Sequence, residues 1–441
     1  MLRRVNGTAD GSPAVRIGGA EAPPGGDGLE YAAPARGTWN IVHTGMLIPE
    51  AHQIFVCAES CLRGVVLTAA EMGAQDRFSM INIRGENIIS GMEDLIIDGV
   101  GEIIASLKYR PRCFLIYTSC VHHFIGCDLP LVYRTLRERY PGYDFVQCFM
   151  NPIMRKSGLT PDELMRRGLY KPLRPGARDP KRINIIGNDF ATDETSEIRR
   201  IAAEAGYALS EIQDYDSYDG YLTMSEASAD IVFFEGALAA GKDLEKRLGH
   251  ELLYLPHSFD YDKIAENYRV LCGYMGREAP DLSEGVEKAE AAVAEAKKAV
   301  GGMPVAIDYT LTYRPFGLAR FLAERGFGVA RVYADGCAAS EREDFLRLKE
   351  ISPDTELWPT VDPRMRVTKR AFDGGVLALG QKAAYFTGTD LFVNVVENGG
   401  MYGIDGVRRI AELMTDAVRH PKDARKCIQQ KGLGCSCAIC D

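Results

Sequence analysis

The chain has 441 residues, 46% hydrophobic and 26% charged, with a formal net charge of −9 at pH 7. That length accommodates about three ordinary domains, and the composition is that of a globular protein. The acidic balance excludes a general nucleic-acid binder, and no apolar run reaches the ~20 residues of a membrane-spanning helix.

Residues 1–38, including GGAEAPPGGDGLEYAAPARG, are rich in Gly, Ala and Pro and lack hydrophobic periodicity, which predicts an irregular arm. Arg3 and Arg4 are followed by Gly, Asp and Pro rather than an apolar core, so no export signal is read and a cytoplasmic protein is expected. In that compartment the twelve cysteines are expected to be reduced thiols or metal ligands rather than disulfides.

Residues 39–150 read as a first α/β domain. IFVC ends a short strand and LRGVVLTAAEMGA predicts a helix beginning near Ser60. FSMINI, CFLIYTSC and YDFVQCFM are strand-like, while EDLIIDGVGEIIASL and LVYRTLRERY have helical spacing. Such alternation predicts a parallel, doubly wound sheet. Asp128 and Pro130 mark a helix start, as cap and first-turn residue. Cys57 is placed at the end of one strand and Cys120 at the last position of another. In an open parallel sheet that edge is where ligands bind, and soft thiolates gathered there suit an iron–sulfur cluster or zinc. Cys113 and Cys148 fall mid-strand and read as core.

Residues 151–181 are basic and contain Pro, which predicts a linker or a crossing segment whose basic surface is solvated, docking to an acidic partner being the alternative. A second α/β domain is expected over 182–270. Within it GALAAGKD, residues 236–243, nearly matches the phosphate loop G-x4-G-K-S/T. Asp243 stands where Ser or Thr would hold magnesium, and a carboxylate there repels phosphate, so these residues are read as opening a helix. Residues 271–302 hold connecting helices, the second of them Ala/Glu/Lys-rich with a polar, solvent-exposed face. A third α/β domain follows over 303–420, where Arg314 and the loop 397–403 (ENGGMYG) lie at strand–helix turns and are expected to line a pocket. The tail 421–441 carries Cys427, Cys435, Cys437 and Cys440, either a second metal site or free thiols.

Several of these segments resemble nitrogenase component 1 and its relatives, which include the dark-operative protochlorophyllide and chlorophyllide reductases and cofactor-maturation scaffolds. CAESCLRGVV is similar to the family's first cluster-ligand segment, with Cys57 on the ligand cysteine. NIISGMEDL resembles a segment with a paired Gly, and TSCVHHFIGCDLPLV resembles the third ligand segment, with Cys120 in the ligand place. GKDLEKRLGHELLYLP, TYRPFGLARFLAERG and GGMYGIDGVRRIAELM look like landmarks of the second and third domains, so the likeness runs from about residue 40 to 420. It implies three Rossmann-like domains with parallel sheets and a dimer of one or two chain types. It also implies an iron–sulfur cluster, 4Fe-4S or larger, at the subunit interface, fed by an ATP-hydrolysing iron–sulfur reductase.

The family's second ligand cysteine, in a Gly-Pro-x-Gly-Cys loop, has no counterpart in GAQDRFSMINIRG, and Cys61 or Cys127 is expected to substitute. The cysteine and histidine that carry the iron–molybdenum cofactor fall near Gly241 and Val393, so neither that cofactor nor dinitrogen reduction is expected. The resulting expectation is an electron-transfer reductase. Cys57, Cys61, Cys120 and Cys127 hold the cluster, and an unidentified substrate binds between the domains. His122 and His123 are candidates for hydrogen-bond donors behind the cluster, a ligand, or proton donors to substrate, with a purely structural role as the alternative. One rival is a metallocluster assembly scaffold without small-molecule turnover. Another is a zinc- or thiol-binding structural protein with no redox role.

Overall fold

The structure, a computed structural model, describes residues 13–22, 30, 31, 33, 41–151 and 158–428. It divides into two compact units, one formed by 39–191 with 202–256 and the other by 1–38, 192–201 and 257–441. A two-residue strand, β1 (Val15–Arg16), comes first along the described chain.

The unit built from 39–191 and 202–256 contains two four-stranded parallel sheets. The first comprises β2 (Ala51–Cys57), β3 (Phe78–Asn82), β4 (Cys113–Thr118) and β5 (Asp144–Phe149), in the order β3-β2-β4-β5. Its two central strands, β2 and β4, are buried at every residue; β4 is largely apolar, and in β2 the buried His52 and Gln53 are hydrogen-bonded to Tyr109, Ser79 and Val42 O. Side chains alternate between faces. Ile54, Val56, Phe114 and Ile116 pack toward helices Met92–Ser106 and Leu129–Arg139, while Phe55, Cys57, Leu115 and Tyr117 face the opposite core. The second sheet comprises β6 (Arg182–Ile185), β7 (Ala208–Ser210), β8 (Ala229–Val232) and β9 (Glu251–Tyr254), in the order β7-β6-β8-β9.

Of the basic stretch expected to be a linker or a crossing segment, residues 158–181 are in part packed rather than solvated throughout. Helix Pro161–Gly168 buries Leu164 and Met165, and Met165 joins Leu169, Tyr170 and Cys57 in one core. A reciprocal cap starts this helix: Thr160 Oγ1 accepts from Glu163 N at 3.3 Å, and Glu163 Oε2 accepts from Thr160 N at 2.7 Å. The near-match to a phosphate loop dissolves into helix Leu238–Leu248, where Asp243 pairs with Lys171 and, at 2.6 Å, with Arg247.

The other unit is organised on one six-stranded sheet. Its strands are β10 (Val305–Asp308), β11 (Val329–Tyr333), β12 (Glu356–Trp358), β13 (Leu377–Leu379) and β14 (Phe392–Val393), with β1 completing the order β1-β12-β11-β10-β13-β14. All pair in parallel except β1, which runs antiparallel along β12. Residues 13–22 of the expected irregular arm therefore include an edge strand, and Ile17 behind it is buried, donating its N–H to Thr355 O at 2.8 Å. A helix at Ser283–Val300 buries Ala289, Val293, Ala296 and Val300 on one stripe and packs along Gly403–Arg419, as its amphipathic sequence predicts. Among the described residues no helix is long and apolar enough to cross a membrane.

Glu341, buried in this unit, closes the N-terminus of helix Pro315–Glu324: its Oε1 accepts from Phe316 N at 2.9 Å and Gly317 N at 3.1 Å. Burial pushes its carboxyl up to about 7, against the Gly317 N–H and Arg314, with Asp344 adding to the rise. The folded state thus keeps a proton that the unfolded chain has released above 4.5, so stability falls as pH rises from 4.5 through about 7. Glu341→Gln retains an acceptor oxygen and removes the titration. It is expected to match the wild type in urea denaturation below the unfolded value and to exceed it by about 3 kcal/mol at about pH 8.

Candidate functional site at the carboxyl edge of the first sheet

Cys57 is the last residue of β2 and pairs across the sheet with Asn82, the last residue of β3. On the other side Val56 is level with Thr118, the end of β4, so the next residues, Ser119 and Cys120, follow beside Cys57. Cys120 does not finish the strand, as its apolar run predicts; it opens helix Cys120–Ile125. The ladder stops because the Ser119 N–H turns to His122 Nδ1, 3.1 Å away. Gly126 ends the short helix in the left-handed conformation (φ 70°). Asp128 then caps Leu129–Arg139, accepting from Leu131 N at 3.0 Å with Pro130 in the first turn, as predicted.

The four predicted ligand thiols occupy distinct environments. Cys57 is fully buried, and burial, with the nearby Cys61 thiol as a smaller cause, pushes it up to about 12. Cys61 is exposed in the first turns of helix Glu59–Glu71. Cys120 is half-buried. Cys127 is half-buried on the face opposite Cys57, where burial and Glu93, which hydrogen-bonds to it, push its thiol up to about 12. Glu93 also accepts from Asp128 N at 2.7 Å. Cys57 and Cys61 are therefore neighbours, and Cys120 opens the helix two residues beyond the end of β4, whereas Cys127 belongs to a second grouping with Glu93. Among the described residues no three His, Cys, Asp or Glu side chains of this single chain converge to hold a metal.

His122 is 3% exposed and burial lowers its basicity, whereas His123 is exposed, with its ring edge-on to Phe124 at 6.1 Å. Three buried polar atoms at this edge have no hydrogen-bond partner: Asn82 Oδ1, Ser119 Oγ and His122 Nε2. Asn82 and Ser119 were not singled out by the sequence; the signal available was their position directly at the strand ends that carry the cysteines. Two large apolar side chains are exposed in the helices that follow these strands, Ile89 at 90% after β3 and Phe124 at 69% after β4.

In the other unit Arg314 is buried at the foot of helix Pro315–Glu324, where Nη2 donates to Ser340 O at 2.9 Å and to Asp344 at 2.8 Å. Loop 397–403 places Glu397 (φ 48°), Asn398 (φ 60°) and three glycines in the left-handed region, and it follows β14 as expected. Two non-glycine residues held there in succession mark a strained segment. Backbone donation from Glu397 and Asn398 to Thr310 O and Leu311 O, both at 2.8 Å, holds it against the loop after β10. Cys427 is half-buried at the end of helix Ala424–Cys427; Cys435, Cys437 and Cys440 lie outside the described residues.

The fold is that of solved nitrogenase structures. One described as nitrogenase Cp1 at pH 6.5 superposes with a TM-score of 0.66 at 15% identity, covering 90% of this chain and 96% of that one. Another, nitrogenase Cp1 at pH 5, gives 0.58 at 13% identity, covering 92% and 94%. No curated protein matches the sequence. Residues 43–396 match the family described as nitrogenase component 1 type oxidoreductase. With most of its length matched, the chain belongs to the nitrogenase component 1 type oxidoreductase family.

Proposed function

We propose that this chain is one subunit of a nitrogenase-like iron–sulfur reductase working in the cytoplasm. Cys57 and Cys120 would hold the cluster, with Cys61, the thiol next to Cys57, as a further ligand; Cys127 turns instead to Glu93 on the opposite face of the sheet. The cluster supplies low-potential one-electron transfer. Electrons would come from an ATP-hydrolysing iron–sulfur reductase and leave to a substrate other than dinitrogen. The observation that carries this reading is that Cys57 ends β2 while Cys120 opens the helix that follows the neighbouring strand β4, with unpartnered buried atoms of Asn82, Ser119 and His122 at the same sheet edge.

The donor set fits such a cluster in its chemistry: soft sulfur at the sheet edge, with N–H and O–H groups close behind. A single chain's incomplete convergence of ligands suits a cluster shared with a second subunit, homologous or identical. The exposed Ile89 and Phe124 would be covered by that neighbour.

Incubation of the anaerobically purified protein with reductant, ATP and its reductase partner tests the proposal. Consumption of an added substrate supports the enzyme. Transfer of iron and sulfide to an apo-protein without turnover would instead assign a scaffold, and a colourless, iron-free protein would remove the redox reading altogether.

A further inference from the structure

We propose that the free edge of β5 is a docking cleft for an extended acidic segment of another protein, which joins the first sheet as a further strand between Arg137 and Arg167. None of the cluster cysteines takes part, so the proposal stands apart from the function proposed above.

β5 pairs with β4 alone and so ends its sheet. Its register is fixed at both ends: Asp144 N donates to Arg112 O at 3.1 Å, and Met150 N donates to Thr118 O at 2.9 Å. In a parallel ladder the N–H and C=O of every second residue point to the same side. Asp144, Val146, Cys148 and Met150 therefore face β4, and the backbone groups of Phe145, Gln147 and Phe149 face outward. Among the described residues no backbone group pairs with these three from the open side.

A cleft of about 290 Å³ runs along this edge, with β5 as one wall. Arg137, from helix Leu129–Arg139, and Arg167, from helix Pro161–Gly168, line it together with Lys171 and Arg174. The two helices cover opposite faces of the sheet, since Leu136 shares a core with Phe145 and Met165 shares the other with Val146. The two arginines thus flank the edge from either face.

Among the described residues Asp144 is the one carboxylate that lines the cleft, and both its oxygens are engaged, by Arg174 Nη2 and the Tyr218 hydroxyl, each at 2.7 Å. Lys171 is paired with Asp243. Arg137 lies over the Tyr133 ring at 5.8 Å, and neither it nor Arg167 has a carboxylate partner among the described residues. Two uncompensated cations therefore stand beside an open row of backbone donors and acceptors.

An open strand edge is a template for a further strand, and charge decides which strand is admitted. These cations repel a second copy of the same edge and attract carboxylates. A strand sends successive side chains to opposite faces. Acidic residues at neighbouring positions would then meet Arg137 on one face and Arg167 on the other, while backbone bonds to Phe145, Gln147 and Phe149 set the register. The six residues of β5 offer ~20 Å of edge.

The test is an anisotropy titration of the full-length protein with a fluorescein-labelled Glu/Val peptide of about eight residues, long enough to span that edge. A peptide with Lys in place of every Glu is the control. Only the Glu peptide is expected to bind, more weakly as salt is raised. Arg167→Glu should weaken binding about tenfold by reversing one flanking charge. Gln147→Pro should abolish it, because the ring fills the place of an outward N–H while every bond to β4 remains.

Hydrogen exchange on the wild type needs no variant to fold. The amides of Phe145, Gln147 and Phe149 should gain protection with the peptide bound, and those of Val146 and Cys148, already bonded to β4, should change little. No binding of the Glu peptide, equal binding of the Lys peptide, or binding without protection of the three outward amides would each overturn the proposal. Release of the peptide by inorganic phosphate at constant ionic strength would also overturn it, by assigning the cleft to a small anion. None of these readouts involves iron, so their failure leaves the proposed function standing, and an iron-free protein leaves them unchanged.

Discussion

Cys57→Ala and Cys120→Ala are each expected to yield folded protein retaining roughly a tenth or less of the wild-type iron, because thiolates are the obligate ligands of such clusters. The comparison that gives this result meaning is with Cys113→Ala and Cys148→Ala. Those two thiols share one buried apolar core with Cys57, and burial pushes both well above the usual thiol range, but neither ends its strand: Cys113 begins β4 and Cys148 precedes the last residue of β5. Their replacement is expected to leave iron content unchanged while reducing stability by about 1 kcal/mol, as for a small buried group deleted from a packed core. Iron and sulfide determination alongside thermal unfolding separates the two classes. Equal loss from all four variants would show that the iron follows general fold integrity rather than ligation at the sheet edge.

Arg166→Ala is expected to destabilise the protein by about 3–5 kcal/mol, the usual consequence of removing one partner from a buried ion pair. Arg166 is 2% exposed. Its guanidinium pairs with buried Asp189 at 2.8 Å and with Asp162 at 3.0 Å, donates to Gly187 O, and lies over the Phe234 ring at 4.8 Å. Alanine strands the Asp189 carboxylate in a place that water does not reach. Urea denaturation should show a lower midpoint with little change in slope. The double variant Arg166→Met/Asp189→Leu should recover most of the loss, since apolar replacement of a whole buried pair is far cheaper than breaking it. A loss under about 1 kcal/mol in the single variant would mean that the pair behaves as a surface contact.

That arginine also shows where composition misleads. The stretch around it is basic in composition, which suits a linker or a crossing segment, yet charge count does not record that Leu164, Met165, Leu169 and Tyr170 are buried, nor that Asp189 awaits the guanidinium. The strand–helix alternation of the first sheet, by contrast, was legible in outline, because hydrophobic period reports local structure directly. So was Cys57 at its strand end and Asp128 at its helix cap.

β1 was not legible. Two residues have no period, and the strand exists only through pairing with Glu356 and Leu357, far away in sequence. The end of β4 was misplaced by two residues because Ser119 trades a ladder bond for a side-chain acceptor three residues on. That Cys57 and Cys127 enter opposite cores was equally hidden, since spacing along the chain does not fix which core each side chain enters. The unpartnered atoms of Asn82, Ser119 and His122 are properties of three-dimensional neighbourhoods and could be found only there.

Iron K-edge X-ray absorption on the anaerobically purified wild-type protein tests the central claim most directly. A sulfur-dominated first shell with a short iron–iron scattering path, both lost in Cys57→Ala, is the predicted result. Iron surrounded by nitrogen and oxygen without an iron–iron path, or an unchanged spectrum in the variant, would contradict it.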